Sequence, residues 1–453
     1  MAREYDIVVI GAGPGGYAAA EKAARLGARV AVVEKERWGG TCAHVGCIPT
    51  KALLAGSRRY AEIKKLERLG TAVSDASFDY QGLKRHKEQM VRLAAAGVRK
   101  ALQDAGAERL EGTGHLLSSS EVEVTGAGGE RTRLRARRVL IAWGSEPLSL
   151  PGVRLSDRVM NSDGFLALNR LPASAVVVGG GTIGVEFANF LAELGVRVTL
   201  VELLGQILPS EDKDAADFLA GELTRAGVEI YTSTRMTSLE EREKEVLLVG
   251  EKEGRELTAR AECALIATGR KPLIHAEELD RLGIVYDGRG GIAVTERQET
   301  SVENVYAVGD VTGGLLLAHR ASAQGRALAN HLFGDGEFFY DEKAVPSVVY
   351  THPGLARVGL TEREARALGM DTEIRRAEYG ANMTARTELM GNGFVKALFS
   401  PGKVCGVTIV GEGASELVAA ASLAMTGEMA ERDLRKWVLP HPSLGELLGL
   451  FAP

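Results

Sequence analysis

A strand, a glycine-rich loop, a helix and a second strand follow one another twice along the chain, and this repeat restricts the fold more than any other feature. In the first copy, the apolar residues 7–10 lead into a glycine-rich loop and a helix-forming stretch, and a second apolar run ends in Glu34. The second copy, which begins at residue 176, ends in the same way with Glu202. The first glycine and the acid are 23 positions apart in both copies. This alternation predicts an α/β chain that contains parallel sheets.

Both loops have the spacing GxGxxG between a predicted strand and a predicted helix, which is the context that dinucleotide binding requires. The glycines allow a tight turn and let the backbone approach a pyrophosphate, while the N-terminus of the helix faces the phosphates with free N–H groups. Glu34 and Glu202 are placed to accept hydrogen bonds from a ribose diol. The residues after Glu202 are Leu203, Leu204 and Gly205, which include no cation for a 2′-phosphate. The second site is therefore predicted to prefer NAD to NADP.

Cys42 and Cys47 lie in a glycine-rich segment directly after the first repeat. Five residues of regular helix rise about 7.5 Å, whereas the Cα atoms of a disulfide are rarely more than about 7 Å apart. A disulfide between these cysteines therefore requires an irregular helix start, which Gly39, Gly40, Gly46 and Pro49 permit. A helix N-terminus also lowers the pKa of a thiol. Half of a zinc site and a pair of buried free thiols are the alternatives.

Composition excludes several other classes of protein. The 453 residues suggest two to four domains, and the net charge of −5 argues against a nucleic-acid-binding surface along the chain. The first residues contain no apolar signal segment, and no stretch of about 18 apolar residues predicts a membrane span. The other two cysteines, Cys263 and Cys405, are isolated, so no metal site is predicted. With only four cysteines the chain is not a secreted disulfide scaffold, and we expect a cytoplasmic location.

Separated motifs from Tyr5 to about Glu446 resemble those of the pyridine nucleotide–disulfide oxidoreductases. Residues 39–51 match the family pattern GGTCxNxGCxPxK, with His44 where asparagine is usual. The end of this motif, Ile-Pro-Thr-Lys, is closest to the dihydrolipoamide dehydrogenase branch. The other matches are IGxE at residues 183–186, ATGR at 267–270, the second flavin motif at 305–310, LAH at 317–319, the dehydrogenase interface-domain entry at 345–362 and a relative of HPTLSE at 441–446.

The resemblance implies two dinucleotide cofactors and assigns residues to each. The expected FAD-binding residues are Gly11, Gly13, Pro14, Gly15, Gly16, Glu34, Lys35, Gly40, Thr41, Lys51, Gly144, Ser145, Asp310, Leu317, Ala318 and His319. The expected NAD-binding residues are Gly179, Gly181, Ile183, Gly184, Glu202, Gly269 and Arg270.

The resemblance also implies a catalytic set and a mechanism. A redox disulfide of Cys42 and Cys47 would exchange electrons with a dithiol such as dihydrolipoamide, and Cys47 would be the sulfur next to the flavin. His441 would act as the base and Glu446 would orient it. Lys51 and Glu186 match the family's ion pair near flavin N5. The chain would form a homodimer in which His441 and Glu446 complete the partner's site, and would serve a lipoyl-carrying component of a 2-oxo acid dehydrogenase complex.

We expect four segments from these motifs and from a change of character at about Val345, which follows a glycine-containing connection at residues 334–336. They are an FAD-binding domain at 1–143, an NAD-binding domain at 144–266, a central segment at 267–334 that completes the FAD domain, and an interface domain at 335–453. The predicted fold class is therefore α/β, with two Rossmann-like domains and an α+β C-terminal dimerisation domain.

Some residues depart from the family pattern, and alternatives remain. Trp143 replaces a small residue of the usual ATGS turn, and Gly445 replaces a serine beside Glu446. The C-terminal cysteine pair of mercuric reductases is absent, and the redox pair that soluble transhydrogenases lack is present. A disulfide reductase with another substrate, such as glutathione disulfide, stays open. So does a flavin-bound redox sensor or scaffold with little turnover.

Overall fold

The computed structural model describes residues 3–451, apart from the side chains of Arg3 and Lys64. These residues divide into two compact units. The first unit contains the residues up to Ala52, Lys84–Leu148 and Arg270–Tyr340. The second contains Leu53–Leu83, Ser149–Gly269 and the residues from Asp341 onward. Each unit includes one copy of the repeat found in the sequence.

The apolar runs of the first repeat form the centre of a five-stranded parallel sheet in the first unit. Val8, Val9 and Val32 are fully buried, because both faces of the sheet are covered. The strands are β2 (Ile7–Ile10), β3 (Val30–Glu34), β4 (Glu108–Glu111), β8 (Val139–Ile141) and β21 (Val305–Ala307). Their order in the sheet is β21–β8–β2–β3–β4.

A second sheet and several short ribbons complete the strands of the first unit. The sheet has the order β1–β7–β6–β5, with β1 (Arg3–Tyr5), β5 (Thr113–Ser118), β6 (Glu121–Thr125) and β7 (Arg131–Ala136). The ribbons pair β9 (Ser145–Pro147) with β18 (Arg270–Pro272), and β19 (Tyr286–Asp287) with β20 (Gly291–Ile292).

The helices of the first unit are α1 (Pro14–Arg25), α2 (Gly40–Val45), α8 (Ala276–Leu282) and α9 (Ala318–Phe333). Two further helices pass from one unit to the other, α3 (Cys47–Glu62) and α4 (Tyr80–Ala105). Helices α1 and α9 pack very closely, since a Cβ atom on Gly325 would collide with the carbonyl oxygen of Gly15. A 3-10 turn at Gly309–Thr312 follows β21.

The second repeat forms a parallel sheet of the same kind in the second unit. Its order is β10–β17–β11–β12–β13, with β10 (Val159–Asn161), β11 (Ser174–Val178), β12 (Arg197–Val201), β13 (Val228–Tyr231) and β17 (Cys263–Ile266). An antiparallel sheet of β14 (Thr234–Glu241), β15 (Val246–Lys252) and β16 (Arg255–Ala261) follows β13. The helices are α5 (Ser162–Leu166), α6 (Thr182–Glu193) and α7 (Lys213–Arg225).

The C-terminal part of the second unit is a five-stranded antiparallel sheet with helices. The order is β22–β23–β26–β25–β24, with β22 (Ser347–Val349), β23 (Gly354–Gly359), β24 (Glu373–Glu378), β25 (Phe394–Ser400) and β26 (Lys403–Gly411). The helices are α10 (Glu362–Ala367), α11 (Met383–Thr387), α12 (Ala414–Thr426) and α13 (Glu431–Leu434). The remaining 3-10 segments are Ile63–Leu69, Glu342–Ala344, Tyr379–Ala381 and Leu444–Phe451. The predicted fold class is confirmed.

The helices within residues 3–451 are each too short or too polar to cross a bilayer.

Candidate active site

The two glycine loops have nearly the same backbone geometry. Gly13 precedes α1 with φ −67° and ψ −179°, and Gly181 precedes α6 with φ −74° and ψ −177°. In the part of the chain that the structure describes, no side chain caps either helix. The N–H groups of the first turn are therefore left for another acceptor, and a dinucleotide pyrophosphate fits that need.

The two acids predicted to hold a ribose are anchored by backbone N–H groups in matching ways. The carboxylate of Glu34 accepts hydrogen bonds from the backbone of Ala12, at 2.8 Å, and of Arg37, at 3.0 Å. The carboxylate of Glu202 accepts them from Gly180, at 2.6 Å, and Leu204, at 2.7 Å. Each acid is thus held beside its glycine loop, where a ribose diol would lie in a dinucleotide complex.

A half-buried hydrogen-bonded chain joins three of the other predicted cofactor residues in the first unit. Ser145 Oγ donates to Asp310 Oδ2 at 2.6 Å, and Arg270 Nε donates to Ser145 Oγ at 2.9 Å. Burial raises the pKa of Asp310, and the hydrogen bond from Ser145 opposes that rise. The polar chain lies at the carboxyl end of the sheet, since β8 precedes Ser145 and β21 precedes Asp310. Arg270 was assigned to NAD from its motif, and the structure places it in this group.

The remaining predicted FAD residues also belong to the first unit. Gly144 has φ +80° and directly precedes Ser145. Leu317, Ala318 and His319 form the N-terminal start of α9, while Lys35 is an exposed residue directly after β3. The structure therefore brings the predicted FAD residues of separate motifs to the carboxyl end of one parallel sheet, where ligands bind in open α/β folds.

The carboxyl end of the second parallel sheet contains an unsatisfied polar atom. Thr268 Oγ1 is buried and has no hydrogen-bond partner among the described residues. Thr268 follows β17 and precedes Gly269, one of the residues predicted to bind NAD. A Cβ atom on Gly181 would meet nothing within 4 Å, so the space in front of the loop is open. An unpaired hydroxyl and an open glycine loop fit a dinucleotide at this edge.

Cys42 and Cys47 lie on two short consecutive helical segments with an irregular residue between them. Helix α2 contains Cys42, Cys47 begins α3, and Gly46 between the helices has φ −143° and ψ −114°. A Cβ atom on Gly46 would lie 2.9 Å from the carbonyl oxygen of Thr41, so a larger residue does not fit without movement. The interruption that a disulfide requires is present.

The two thiols are reduced in this structure and interact with each other. The hydrogen bond to Cys47, followed by burial, raises the pKa of Cys42, and the charge of Lys51 lowers it. This direction is opposite to the one expected from the helix N-terminus, because a neighbouring thiolate in a half-buried site opposes loss of the second proton of the pair. The two thiols together therefore keep one proton, which the two sulfur atoms share.

Tyr17 is a neighbour of the cysteine pair that sequence reasoning missed. Burial raises its pKa, a hydrogen bond with Ser322 lowers it, and the charge of Cys42 raises it. Ser322 Oγ also donates to the carbonyl of Pro14, at 3.2 Å. Tyr17 belongs to the helix that starts at the first glycine loop, so its place beside Cys42 could have been found only by knowing how α1 and α2 pack.

The predicted base and its orienting acid are paired in the second unit. His441 Nδ1 and Glu446 Oε1 are 2.9 Å apart, and the backbone N–H of Ser443 donates to Glu446 Oε2 at 3.0 Å. The hydrogen bond from Ser443, followed by that from His441, lowers the pKa of Glu446. Because Nδ1 faces the carboxylate, Nε2 is the nitrogen that remains to exchange a proton, and the His441 side chain is 74% exposed.

Lys51 and Glu186 were predicted to form an ion pair, and they lie in different units. Lys51 is four residues after Cys47 on α3, so the two side chains lie on the same helix face. Glu186 is 3% exposed on α6, and its Oε1 accepts the backbone N–H of Tyr350 at 2.9 Å. The predicted ion pair stays a prediction.

His352 is a second feature that the sequence did not reveal. Its Nδ1 lies 3.2 Å from Glu193 and its Nε2 lies 3.2 Å from Glu412, while its backbone N–H donates to Asn189 at 3.3 Å. Burial lowers the pKa of His352, but the hydrogen bonds with the two carboxylates outweigh burial and raise it. Helix α6, which carries Glu186, is thereby joined to the loop between β22 and β23.

These motifs and their geometry define a flavin-dependent disulfide oxidoreductase. The family model described as pyridine nucleotide-disulphide oxidoreductase matches residues 5–325, and the dimerisation domain of the same family matches residues 345–450. The chain therefore belongs to the pyridine nucleotide-disulphide oxidoreductase family. The dihydrolipoyl dehydrogenases of this family use FAD and NAD as cofactors. The predicted family and cofactors are confirmed, and the dimerisation domain supports a homodimer.

Curated relatives match nearly the whole chain. A dihydrolipoyl dehydrogenase of Chlamydia pneumoniae is 36% identical over 449 residues, which are 99% of this chain and 96% of that protein. The dihydrolipoyl dehydrogenase of Geobacillus stearothermophilus is 35% identical over 99% of this chain and 95% of its own length.

Solved structures agree with this result. LpdA from Mycobacterium tuberculosis has a TM-score of 0.91 and 28% identity, with 98% of each chain covered. A Cu(II) complex of the HOCl-induced flavoprotein disulfide reductase RclA from Escherichia coli has a TM-score of 0.87 and 29% identity, with 99% of each chain covered.

Proposed function

We propose that this chain is a dihydrolipoamide dehydrogenase that oxidises a dihydrolipoyl group and reduces NAD⁺. The observation that carries the proposal is that the chain contains both a contacting cysteine pair and a His–Glu pair. The chain is also 35–36% identical to dihydrolipoyl dehydrogenases over 99% of its length. Two exposed leucines, Leu203 and Leu204, follow Glu202 where a 2′-phosphate would need a cation, which supports NAD over NADP.

In the proposed reaction the disulfide form of Cys42 and Cys47 accepts two electrons from the substrate dithiol. A substrate thiolate attacks the sulfur of Cys42, a mixed disulfide forms, and Cys47 leaves as a thiolate. The second substrate thiol then displaces Cys42, so the substrate leaves as a disulfide and the cysteine pair becomes a dithiol. The two protons that the substrate thiols lose end on the two cysteines, so the exchange releases no net proton.

His441 would take the first of these protons, because only the thiolate attacks a disulfide at a useful rate. Its Nδ1 is occupied by Glu446, so Nε2 is the position that receives the proton. The negative charge of Glu446, which two hydrogen bonds favour, would stabilise the protonated imidazole. The arrangement resembles a base and its orienting acid in other enzymes.

The residues of the first glycine loop, with Glu34, Ser145 and Asp310, would hold FAD. When bound, FAD would itself carry two electrons from the dithiol to NAD⁺. Lys51 is placed to favour negative charge on the cysteine pair, since its charge lowers the pKa of Cys42. The second glycine loop, with Glu202 and Gly269, would hold NAD.

We further propose that His441 and Glu446 serve the cysteine pair of the partner in a homodimer. Two defective variants test this arrangement, Cys42→Ser and His441→Gln. If the site is shared, a random mixture of both chains should recover about a quarter of the wild-type rate, because half of the dimers contain one complete site out of two. Activity no higher than that of the separate variants would mean that each site uses its own histidine.

A steady-state assay of the flavin-loaded protein tests the activity itself. Rapid NADH formation from dihydrolipoamide and NAD⁺ is expected, with loss of at least about 10³-fold in Cys42→Ser because no disulfide can form. Cys405→Ser is the matched control, since Cys405 is a half-buried cysteine whose thiol donates to the backbone of Leu398. Equal rates in Cys42→Ser and the wild type would refute the assigned redox pair.

A disulfide reductase with another substrate is the second candidate, and the full-length likeness to RclA favours it. The same assay run in reverse separates the two functions, with NADH as donor and oxidised glutathione or Cu(II) as acceptor. Turnover of these acceptors without turnover of dihydrolipoamide would assign the reductase. Reduction of the flavin by NADH with no turnover of any acceptor would indicate a redox sensor. The lipoyl-carrying partner complex and the cytoplasmic location stay predictions.

A further inference from the structure

A basic pocket of about 510 Å³ lies in the second unit, away from all residues assigned above. This volume is within the range of small-molecule sites. The pocket is lined by Arg158, Arg170, Ser174, Arg197, Lys244, Glu245, Arg260, Ala261 and Glu262. Its five cations and two acids give it a formal charge of about +3 at neutral pH.

The pocket lies at the amino end of the parallel sheet, opposite the predicted NAD residues. Ser174 is the first residue of β11 and Arg197 is the first residue of β12. The second glycine loop and Glu202 lie instead at the carboxyl ends of the same two strands. Five residues of strand span about 16 Å, so the pocket and the nucleotide loop are separate sites.

Two of the five cations are neutralised by the two acids of the pocket. Arg170 forms an ion pair with Glu262, whose carboxylate also accepts the backbone N–H of Ala173 at 2.7 Å. Arg260 lies 2.6 Å from Glu245. The positive charge that is left therefore comes from the other three cations.

Arg158 is held in place without being neutralised. Its guanidinium donates to the carbonyl oxygens of Glu262, at 3.2 Å, and Glu243, at 3.0 Å. Arg197 and Lys244 are exposed, and no carboxylate of the described chain lies within ion-pair distance of either. Ser174 Oγ accepts the backbone N–H of Glu262 at 3.0 Å, so its own hydrogen remains available to donate.

We propose that this pocket binds a small oxyanion with at least two negative charges, namely a phosphoryl or diphosphoryl group. Arginine presents paired N–H donors that match the oxygens of a phosphate, and lysine adds a point charge. Three cations without an acidic partner, one of them fixed by two carbonyls, are the donor set that such a ligand requires. The site is independent of the proposed substrate, since it uses none of the catalytic residues.

Calorimetric titration of the flavin-loaded protein with pyrophosphate and with inorganic phosphate tests the proposal. The NAD site should be saturated with NAD⁺ first, and chloride should keep the ionic strength equal because screening weakens exposed charges. We expect binding of at least one probe, weakened about tenfold or more in the double variant Arg197→Ser/Lys244→Ser. Binding of both probes would assign a phosphoryl site, and binding of pyrophosphate alone a diphosphoryl site.

The matched control is Arg154→Ser/Arg235→Ser, which removes two exposed arginines of the same unit that do not line the pocket. Binding in the control should stay within about twofold of the wild type, since long-range charge is screened. NADH formation should be unchanged in both double variants, which shows that they fold. No binding of either probe, or equal weakening by both double variants, would overturn the proposal.

Discussion

Replacement of Lys396 by methionine should destabilise the second unit more than any exposed charge change. The side chain is 2% exposed, and its Nζ lies 2.9 Å from Asp212, 2.8 Å from Asp214 and 2.7 Å from Glu362. Methionine retains the volume but leaves three carboxylates facing one another, and Asp212 is itself only 6% exposed. Removal of one partner from a buried ion pair costs about 3–5 kcal/mol. Partial exposure of the other two acids places the expected loss near the lower end of that range.

Lys403 on the adjacent strand β26 provides the control. Its Nζ lies 2.8 Å from Glu428, but the two side chains are 53% and 79% exposed. Exposed pairs contribute about 0–1 kcal/mol, so Lys403→Met should lower the free energy of unfolding by no more than that. The measurement is the guanidinium midpoint followed by far-UV circular dichroism for both variants. Equal losses in the two variants, or a loss below about 1 kcal/mol for Lys396→Met, would refute the reasoning.

The pH dependence gives a second check on Lys396. Burial lowers its pKa, but the hydrogen bonds with Asp214, Glu362 and Asp212 outweigh burial and raise it. A raised pKa means that the folded state binds the proton more tightly than the unfolded state. The stabilisation is therefore fully present below about pH 10.4 and is lost as the pH rises through the folded-state pKa. The difference between the wild type and Lys396→Met should stay constant between pH 7 and pH 9.

Three further changes test other parts of the molecule. Glu446→Gln should lower kcat with dihydrolipoamide about 10²-fold while the flavin-to-protein absorbance ratio stays unchanged, because the base loses its charged partner; an unchanged kcat would remove Glu446 from the mechanism. His352→Gln should lower the melting temperature most near pH 5.5 and progressively less toward pH 9. Because the pKa of His352 is raised in the folded state, its stabilisation is present at low pH and is lost as the pH rises through the folded-state pKa. A difference in melting temperature that grows with pH would contradict this sign. Gly40→Ala should reduce flavin retention, because its Cβ atom would lie 2.7 Å from the Cα atom of Gly13, whereas Gly70→Ala has a similar positive φ with open space around it and should keep the flavin.

The parts of the site that sequence could predict are those whose geometry is local. A glycine loop between a strand and a helix requires glycine at fixed spacing, so both dinucleotide loops and their acids were identified from the residues themselves. An irregular helix was expected between the cysteines, because the distance between Cys42 and Cys47 along a regular helix is too long, and the structure places the irregular residue at Gly46. His441 and Glu446 are five residues apart and form the expected hydrogen bond.

The parts that sequence could not predict depend on residues that are far apart in the chain. Arg270 reaches Ser145 across 125 positions, because the two short strands β9 and β18 pair there. A residue that ends an NAD-type motif therefore contacts a flavin-type motif. His352 is similar, since its two carboxylate partners are 159 and 60 positions away. Periodicity and spacing carry no information about such contacts, which arise only when the sheets form.

The equal geometry of the two glycine loops also shows where their different roles must originate. Gly13 and Gly181 have almost the same backbone angles, and both following helices have 12 residues, so the loops alone do not determine which cofactor each one holds. What differs is the chain that follows each repeat. After the first repeat, Gly40 comes so close to Gly13 that even a Cβ atom would not fit, and this contact brings the helix of Cys42 to the first loop. A dinucleotide at that loop would therefore lie near the cysteine pair, as the proposed function requires of a flavin that passes electrons from a dithiol to NAD.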